Sequence, residues 1–360
     1  MTDKIKKEID KIKKEIDKIS IKKAHEILLN SENVDANLVL LKDKYILFDD
    51  DEKSFLMYRI KGKSWIVLGD PIGEEKSCSE LIFKFYEISK FNGGRPVFYQ
   101  IGKKYLNCYL DIGMTLLKIG EEAKLNIKEF NFEGKSKKKF RRVYNKFDKG
   151  NYTFEIIKSS ENEKILDELE IISKKWLQNK KSKEKSFSLG SFDREYIKKF
   201  DIAIIKKEDK IIGFANMFMT NKKENLSVDL MRFIPNVEDG IMDYIFIKLI
   251  LWGKENDYKW FNLGMAPLAG LKNKEIFPIW NKIGTFIYKN GEHFYNFKGL
   301  RQYKEKYDPV WSPRYIALTN GIYLASVLKD IALLISGGLK GLIKKENVKK
   351  KLLIKKGKKL

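Results

Sequence analysis

Histidine and cysteine are scarce in this chain of 360 residues, which contains two of each. A Ser-His-Asp triad or a histidine-based zinc site draws on a residue type that the chain barely has, so we expect no such triad and no metal site. Cys78 and Cys108 provide neither a disulfide framework nor the spacing of metal ligands. Their number and spacing indicate a reducing compartment such as the cytoplasm.

A long apolar run is also missing. The longest uncharged apolar stretch, residues 315–328, ends at Lys329 and Asp330 and is shorter than the roughly 20 residues that a spanning helix needs. The polar start of the chain, MTDKIKKEID, does not have the pattern of a signal peptide. We therefore expect a soluble or peripheral protein.

Positive charge is in excess, with 72 Lys and Arg against 49 Asp and Glu and a net charge of +23. This excess favours a partner such as nucleic acid or an anionic membrane. The alternative is compositional drift in a chain rich in Lys, Ile and Asn. Only eight of the cations are arginine, and an arginine retained among lysines more often provides a planar fork for phosphate or carboxylate.

The first 34 residues predict an amphipathic helix, because the heptad KIKKEID occurs at 4–10 and again at 11–17. Isoleucines at spacings of three and four place an apolar seam on one face. So few heptads make a weak coiled coil, and we favour a helix that docks on its own domain.

Residues 35–155 and 156–318 each predict a mixed α/β unit with short connections. In the second unit, strands near 202–206, 211–219 and 226–233 precede a helix led by Gly240 and a strand at 260–263. This order is the core of the GNAT acyltransferase fold, so we expect the second unit to be GNAT-like. Acetyl-CoA users have a glycine-rich turn before that helix, whereas this chain has PNVEDGIMD at 235–243. We therefore expect no coenzyme A.

Two basic segments are candidate phosphate-binding sites. In the first, residues 134–151, the aromatic side chains form an apolar face behind five cations that can bind a polyphosphate backbone, namely Lys137, Lys138, Lys139, Arg141 and Arg142. The alternative is a solvated helix that links two domains. The second segment, GLRQYKEKYDPVWSPRY at 299–315, interleaves cations with aromatics around two prolines, which indicates a fixed conformation and a site.

Seven motifs occur in one order along the chain, namely GDPIGEE (69–75), GEEA (120–123), FSLGSF (187–192), DLMR (229–232), IMDYIF (241–246), FNLGMAPL (261–268) and KEKYDPVWSPRY (304–315). Together they resemble the synthase domain of bacterial phosphatidylglycerol lysyltransferases and alanyltransferases, the multiple peptide resistance factors. The resemblance implies two tandem GNAT-like domains, with mixed sheets flanked by helices. The resemblance covers about residues 35–320 and does not include the membrane flippase of that family, so lipid flipping is not implied.

The resemblance implies transfer of an aminoacyl group, most often lysine or alanine, from aminoacyl-tRNA to the glycerol hydroxyl of phosphatidylglycerol. The protein is then cytoplasmic, peripheral on the inner face of the membrane, and its partners are aminoacyl-tRNA and an anionic phospholipid membrane. One alternative is a soluble aminoacyl-tRNA-dependent transferase acting on a peptide or peptidoglycan precursor. Another is an inert RNA-binding module.

An aminoacyl ester is already activated, so transfer to an alcohol needs positioning, proton removal and oxyanion stabilisation, with no cofactor or metal. We predict Asp229, Arg232 and Lys304 as catalytic. Asp229 and Arg232 are three apart on a strand, so only a β-bulge brings both to one cleft; a structural ion pair is the alternative. The predicted ligands of a lipid phosphate or tRNA terminus are Arg301, Lys306 and Arg314, with Tyr303 and Trp311 as walls.

The C-terminal segment, 319–360, combines an apolar pattern with a polybasic tail. We predict a helical pattern over 316–343 and a tail from Lys340 to Leu360 with ten lysines and one acidic residue. An apolar helix next to a polybasic segment is typical of peripheral attachment to an anionic membrane. A disordered, solubilising tail is the alternative.

Overall fold

A twelve-stranded sheet forms the centre of the computed structural model, which describes residues 19–270 and 297–337. The strands run in the order β1-β2-β3-β5-β12-β6-β11-β10-β9-β8-β7, and β4 pairs with β2. Their bounds are β1 Tyr45–Phe48, β2 Ser54–Lys61, β3 Ser64–Leu68, β4 Ile72–Gly73, β5 Arg95–Ile101, β6 Thr115–Asn126, β7 Tyr152–Ile157, β8 Ile202–Lys207, β9 Lys210–Met219, β10 Asn225–Phe233, β11 Trp260–Pro267 and β12 Val310–Leu318.

Helices cover both faces of this sheet. They are α1 (residues 19–28), α2 Glu75–Phe91, α3 Leu106–Asp111, α4 Lys138–Asp148, α5 Leu166–Asn179, α6 Arg194–Ile197, α7 Ile241–Glu255, α8 Phe297–Glu305 and α9 Leu324–Ile335. Short 3-10 helices lie at Val34–Leu41, Asn162–Ile165 and Gly321–Tyr323.

Alternating side chains of the strands supply both layers of the core. On one face, a single apolar cluster contains strand residues from across the sheet. It also contains residues of α1, the Val34–Leu41 helix, α5, α6 and α9. The other face has two clusters, one around α2 and α3 and one around α4 and α7. The result is a three-layer arrangement of helices, sheet and helices, which confirms the predicted mixed α/β class.

The two predicted α/β units share this one sheet. β12 lies between β5 and β6, and β11 pairs with β6, so strands from 35–155 and from 156–318 alternate at the centre. The division into two tandem domains stays a prediction. In the described part of the N-terminal segment, α1 buries Ile21, Ala24 and Leu28 in the core. The repeated heptads at 4–17 and the polybasic tail from 340 onward lie outside the described residues.

One local prediction was wrong. Residues 316–318 belong to β12 and not to a helix, and the helix of this segment is α9.

β11 continues through Gly264 as far as Pro267. Gly264 lies at a register irregularity, with a φ of +78° that favours glycine.

A β-bulge separates Asp229 from Arg232, as the sequence required for both to reach one cleft. Val228 pairs with Met217 and Met231 with Ala215, so three steps along β10 match two along β9. The extra residue leaves the ladder interrupted. Asn216, fully buried on β9, fills the gap because its Oδ1 accepts from the backbone N–H of Leu230 at 2.8 Å.

We expect Asn216→Ala to destabilise the protein by about 1–3 kcal/mol, because the N–H of Leu230 then stays buried without a partner. Urea unfolding followed by circular dichroism measures this change. Asn145→Ala, on the exposed face of α4, is the control and should stay within about 0.5 kcal/mol of the parent. Equal stability of the two variants would show that the side chain of Asn216 does not hold the bulge.

Candidate functional site

A cavity of about 780 Å³ lies where the bulge of β10, the end of β11 and the helices α8 and α9 meet. Its polar lining comes from distant parts of the sequence, namely Asp35, Asp229, Arg232, Lys304 and Arg314. Its apolar lining includes Met57, Leu68 and Ile119 from the sheet and Leu328, Ile331 and Ile335 from α9. The cavity is thus polar at one end and apolar along α9.

A buried ion pair joins two strands beside the cavity. Arg314 on β12 donates to the carboxylate of Glu122 on β6, at 2.6 Å between Nη2 and Oε1. Burial raises the pKa of Glu122, but the cations of Arg314 and Lys124 outweigh burial and hold that pKa below its usual value. Glu122 is therefore a fixed negative charge at the polar end.

A chain of hydrogen bonds runs from this carboxylate to Lys304. Asn262 donates from Nδ2 to Glu122 at 3.2 Å and accepts at Oδ1 from the N–H of Gly264 at 2.7 Å. Lys304 Nζ then donates to the carbonyl oxygens of Gly264 and Met265, at 2.8 and 2.9 Å. The amine of Lys304 is therefore held by the backbone of β11.

Burial lowers the pKa of Lys304 to about 7, against the opposing effect of the carboxylates of Glu122 and Asp35. A neutral lysine amine has two N–H groups and one lone pair. The two carbonyl oxygens accept both N–H groups, so neither contact uses the lone pair. This geometry suits a base that works near neutral pH.

Asp229 lies within the bulge of β10, between Val228 and Met231, and two donors hold its carboxylate. Its Oδ1 accepts from the N–H of Gly190 and its Oδ2 from the hydroxyl of Tyr196, each at 2.8 Å. Burial raises the pKa of Asp229, and these two hydrogen bonds oppose that effect. Gly190 allows the close approach, because a Cβ there would lie 1.8 Å from the carboxylate.

Arg232 does not form the ion pair with Asp229 that was the alternative interpretation of the sequence. Its guanidinium forms a two-pronged pair with Glu184, at 2.6 Å for each contact, and also donates to Ser173. It lies over the ring of Trp176, 5.4 Å from the centroid. Arg232 therefore anchors the 182–190 loop, which carries Gly190.

Two of the three predicted catalytic residues are almost completely buried. Arg232 is 4% exposed and Lys304 is 5% exposed. Both still line the cavity. Because Lys304 is buried, a positive charge on its amine is unfavourable in free energy.

The predicted phosphate ligands fall into two groups. Arg314 and Tyr303 line the cavity, whereas Arg301, Lys306 and Trp311 lie outside the set of described residues that line it. Arg301 pairs with Glu121 at 2.7 Å and lies 4.6 Å from the ring centroid of Trp311. Lys306 contacts the carboxylate of Asp243 at 2.6 Å and lies 3.8 Å from the ring centroid of Tyr303. These contacts hold α8, and with it Lys304, against β6 and α7.

The basic segment at 134–151 forms α4, and its five cations do not share one environment. Lys137 is buried and pairs with Asp308 at 2.6 Å, while Arg141 donates to the carbonyl oxygens of Phe132 and Gly134. The other three cations, Lys138, Lys139 and Arg142, are exposed. Phe140, Val143 and Phe147 are buried behind them, as the amphipathic pattern predicted.

Sequence reasoning missed several residues of this site. Asp35 lines the cavity, and burial together with the nearby charge of Glu122 raises its pKa to about 6. Asn262 and Gly190 lie in the motifs FNLG and FSLG. A motif, however, does not tell which carbonyl or carboxylate group its residues approach in the fold.

Two features are absent from the described residues. Within residues 19–270 and 297–337, no cluster of three His, Cys, Asp or Glu has the geometry to hold a metal ion. Over the same ranges, no helix has the length and apolar character required to cross a membrane.

Comparison with known proteins identifies the family. Residues 26–318 match the family model described as phosphatidylglycerol lysyltransferase, C-terminal. A phosphatidylglycerol lysyltransferase of Staphylococcus epidermidis is 36% identical over 282 residues, which are 78% of this chain and 33% of that protein. One of Staphylococcus aureus is 35% identical over the same length. The chain thus spans about a third of the length of the curated relatives it matches.

Solved structures agree with this match. The C-terminal domain of a lysylphosphatidylglycerol synthetase from Agrobacterium fabrum has a TM-score of 0.82 and 37% identity, over 90% of this chain and 99% of that one. L-PGS from Bacillus licheniformis has a TM-score of 0.80 and 34% identity, over 87% and 96%. FemX, at 9% identity and a TM-score of 0.54, is similar in fold alone. With its cavity, its buried lysine and these matches, the chain belongs to the family of phosphatidylglycerol lysyltransferase C-terminal domains.

Proposed function

We propose that this protein transfers an amino acid, lysine or alanine, from aminoacyl-tRNA to the glycerol hydroxyl of phosphatidylglycerol. The observation that carries the proposal is Lys304, a buried amine whose pKa is lowered to about 7 and whose two N–H groups are held by backbone carbonyls. The membership of the chain in the lysyltransferase family supports the choice of donor and acceptor.

The reaction exchanges one ester for another. Lys304 takes the proton of the glycerol hydroxyl, and the hydroxyl oxygen forms a bond to the carbonyl carbon of the aminoacyl group. The bond between that carbon and the terminal ribose oxygen of the tRNA breaks, and the proton passes from Lys304 to this ribose oxygen. An activated ester needs no cofactor and no metal for these steps, so we propose a reaction without coenzyme A.

The other polar groups of the cavity orient the two substrates. Asp229, fixed by Gly190 and Tyr196, accepts a hydrogen bond from the acceptor hydroxyl or from the ammonium of the donor. Arg314 lines the cavity, and its Nη2 binds Glu122, so the remaining N–H groups of the guanidinium donate to the lipid phosphate. The apolar lining along α9 takes the acyl chains.

The donor tRNA lies on the exposed face of α4. Lys138, Lys139 and Arg142 present their charges to solvent there, and Lys137 connects this helix to Asp308 just beyond α8. Phosphates bound on α4 therefore lie next to the helix that carries Lys304. We also propose that the protein works in the cytoplasm, peripheral on the inner face of the membrane, since its acceptor is a lipid.

We expect the purified protein, given labelled aminoacyl-tRNA and phosphatidylglycerol vesicles, to produce labelled lipid that extracts into organic solvent. Several tRNAs charged with different amino acids should be compared, because the preferred amino acid gives the fastest transfer. Ribonuclease treatment of the donor should abolish the product. Label that stays in the aqueous phase as a peptide conjugate, or transfer from free amino acid and ATP, would contradict the proposal.

The rate at saturating substrate should fall about tenfold for each pH unit below about 7, because Lys304 is then protonated and has no lone pair. Above about pH 7 the rate should level off. Initial rates of lipid labelling, corrected for spontaneous hydrolysis of the donor ester, give this profile. Lys304→Ala should lower the plateau by about a hundredfold or more and remove the inflection.

Asp35→Asn is the matched control for this pH profile. Asp35 titrates near pH 6 in the same cavity, so it competes with Lys304 as the source of an inflection. In this variant the inflection should persist and move slightly lower, because a neighbouring negative charge that raises the pKa of Lys304 is gone. An inflection that disappears in Asp35→Asn and persists in Lys304→Ala would show that Asp35, and not Lys304, takes the proton. This result would contradict the proposal.

The double variant Lys138→Ala, Arg142→Ala should weaken tRNA binding without loss of stability, because both side chains are exposed. The slope of log affinity against log salt concentration should decrease in magnitude by about 1–2, as expected for the loss of one or two phosphate contacts. Filter binding over a salt series measures this slope. The control Lys76→Ala, Lys175→Ala removes the same charge from α2 and α5, and an equal effect there would contradict a binding site on α4.

A further inference from the structure

Exposed apolar side chains concentrate at one end of the sheet, away from the polar end of the cavity. Phe91 is 93% exposed and Ile322 is 78% exposed, which is unusual for side chains of this size. Three others are exposed nearby, namely Ile60, Leu110 and Tyr323. We call these five residues the sheet-end face.

Strand topology places the five residues together. β3 and β5 both begin at this end, where Ser64 pairs with Arg95. β12 ends and β6 begins here, where Leu318 pairs with Thr115. Each of the five residues lies on β2 next to the turn into β3, at the C-terminal end of α2 or α3, or just after β12.

Direct contacts tie the two halves of the sheet-end face to each other. Arg95, four residues after Phe91, lies 4.7 Å from the ring centroid of Tyr323. The guanidinium of Arg95 also donates to the hydroxyl of Ser326 on α9, at 3.2 Å. The loop after α2 and the turn before α9 are therefore parts of one surface.

Four cations lie beside this apolar surface, at the turn between β2 and β3, the end of α2 and the start of β5. They are Lys61, Lys63, Lys90 and Arg95. Two acidic residues, Asp111 and Asp330, also belong to this end of the sheet, and Asp330 accepts a hydrogen bond from Ser64. Exposed apolar and aromatic groups next to cations complement an anionic bilayer, which attracts the charges and admits the apolar tips.

We propose that the sheet-end face docks on an anionic phospholipid bilayer, an inference that rests on the proposed function because a lipid acceptor requires access to a membrane. A bilayer fits this surface better than RNA does, since Phe91 and Ile322 present apolar groups and RNA offers phosphates and stacked bases. The surface is distinct from α4 and from the polybasic tail.

α9 connects this face to the cavity. It begins at Leu324, next to Ile322 and Tyr323, and its first cavity-lining residue is Leu328, about 6 Å further along the helix axis. The apolar lining continues to Ile335, near the 182–190 loop and the polar end. A phospholipid drawn head first along α9 thus keeps its acyl chains toward the sheet-end face and its phosphate toward Arg314.

The test compares the full chain with the double variant Phe91→Ser, Ile322→Ser in cosedimentation with vesicles. The vesicles are pure phosphatidylcholine or an equal mixture of phosphatidylcholine and phosphatidylglycerol, each at low and high salt. The parent should prefer the anionic vesicles. The variant should bind them about tenfold more weakly, equivalent to about 1.4 kcal/mol, and this difference should persist at high salt because apolar insertion is not screened.

Leu29→Ser, Ile171→Ser is the matched control, because both side chains are exposed and lie away from the sheet-end face. It should bind vesicles like the parent. Equal binding by the parent and the Phe91, Ile322 variant would overturn the proposal, and so would a loss of tRNA binding in that variant with vesicle binding retained.

A transfer assay with detergent-dispersed short-chain phosphatidylglycerol separates this proposal from the proposed function. There the Phe91, Ile322 variant should match the parent, because no bilayer has to be reached. Absence of transfer by the parent itself would refute the proposed function, whereas the vesicle comparison would still decide the docking face. Reduced short-chain transfer by the variant would overturn the docking role, because it would show damage to the site.

Discussion

The buried carboxylate of Glu122 is the constraint on which the rest of the site depends. It lies on β6 between two strands that come from distant parts of the sequence, and it takes donors from both of them, Arg314 on β12 and Asn262 on β11. A buried charge is tolerated only with such partners. These hydrogen bonds of Glu122 fix the positions of β11 and β12 beside β6. Asn262 also accepts from the N–H of Gly264, and the carbonyl oxygen of Gly264 binds Lys304.

The same carboxylate shapes the electrostatics of the cavity. Its negative charge, with burial, raises the pKa of Asp35 to about 6. It also opposes the burial that lowers the pKa of Lys304 to about 7. Burial is the larger effect on Lys304, so a lysine surrounded by carboxylates is still close to neutral at physiological pH. The proposed base is therefore not a histidine, the residue that the sequence almost lacks.

Period and turn residues were sufficient to predict most strands, α4 and the bulge between Asp229 and Arg232. The strands and α4 follow from the local spacing of apolar residues. The bulge follows from the three-residue spacing of Asp229 and Arg232 on one strand, if both reach the same cleft. The pairing of β12 with β5 and β6 was not predictable in this way, because it joins residues about 200 apart. For the same reason the pairing of Arg232 with Glu184 was not predictable, nor was the support that Asn262 and Gly190 give to the catalytic candidates.

Backbone groups make the critical contacts of this site. The N–H of Gly190 binds Asp229, and the carbonyl oxygens of Gly264 and Met265 bind Lys304. Backbone groups do not titrate and have no side-chain rotamers to lose, so they hold a reacting group at low entropic cost over a wide pH range. The chemistry therefore depends on the paths of β11 and the 182–190 loop, and glycine is required where a carboxylate approaches the chain closely, as at Gly190.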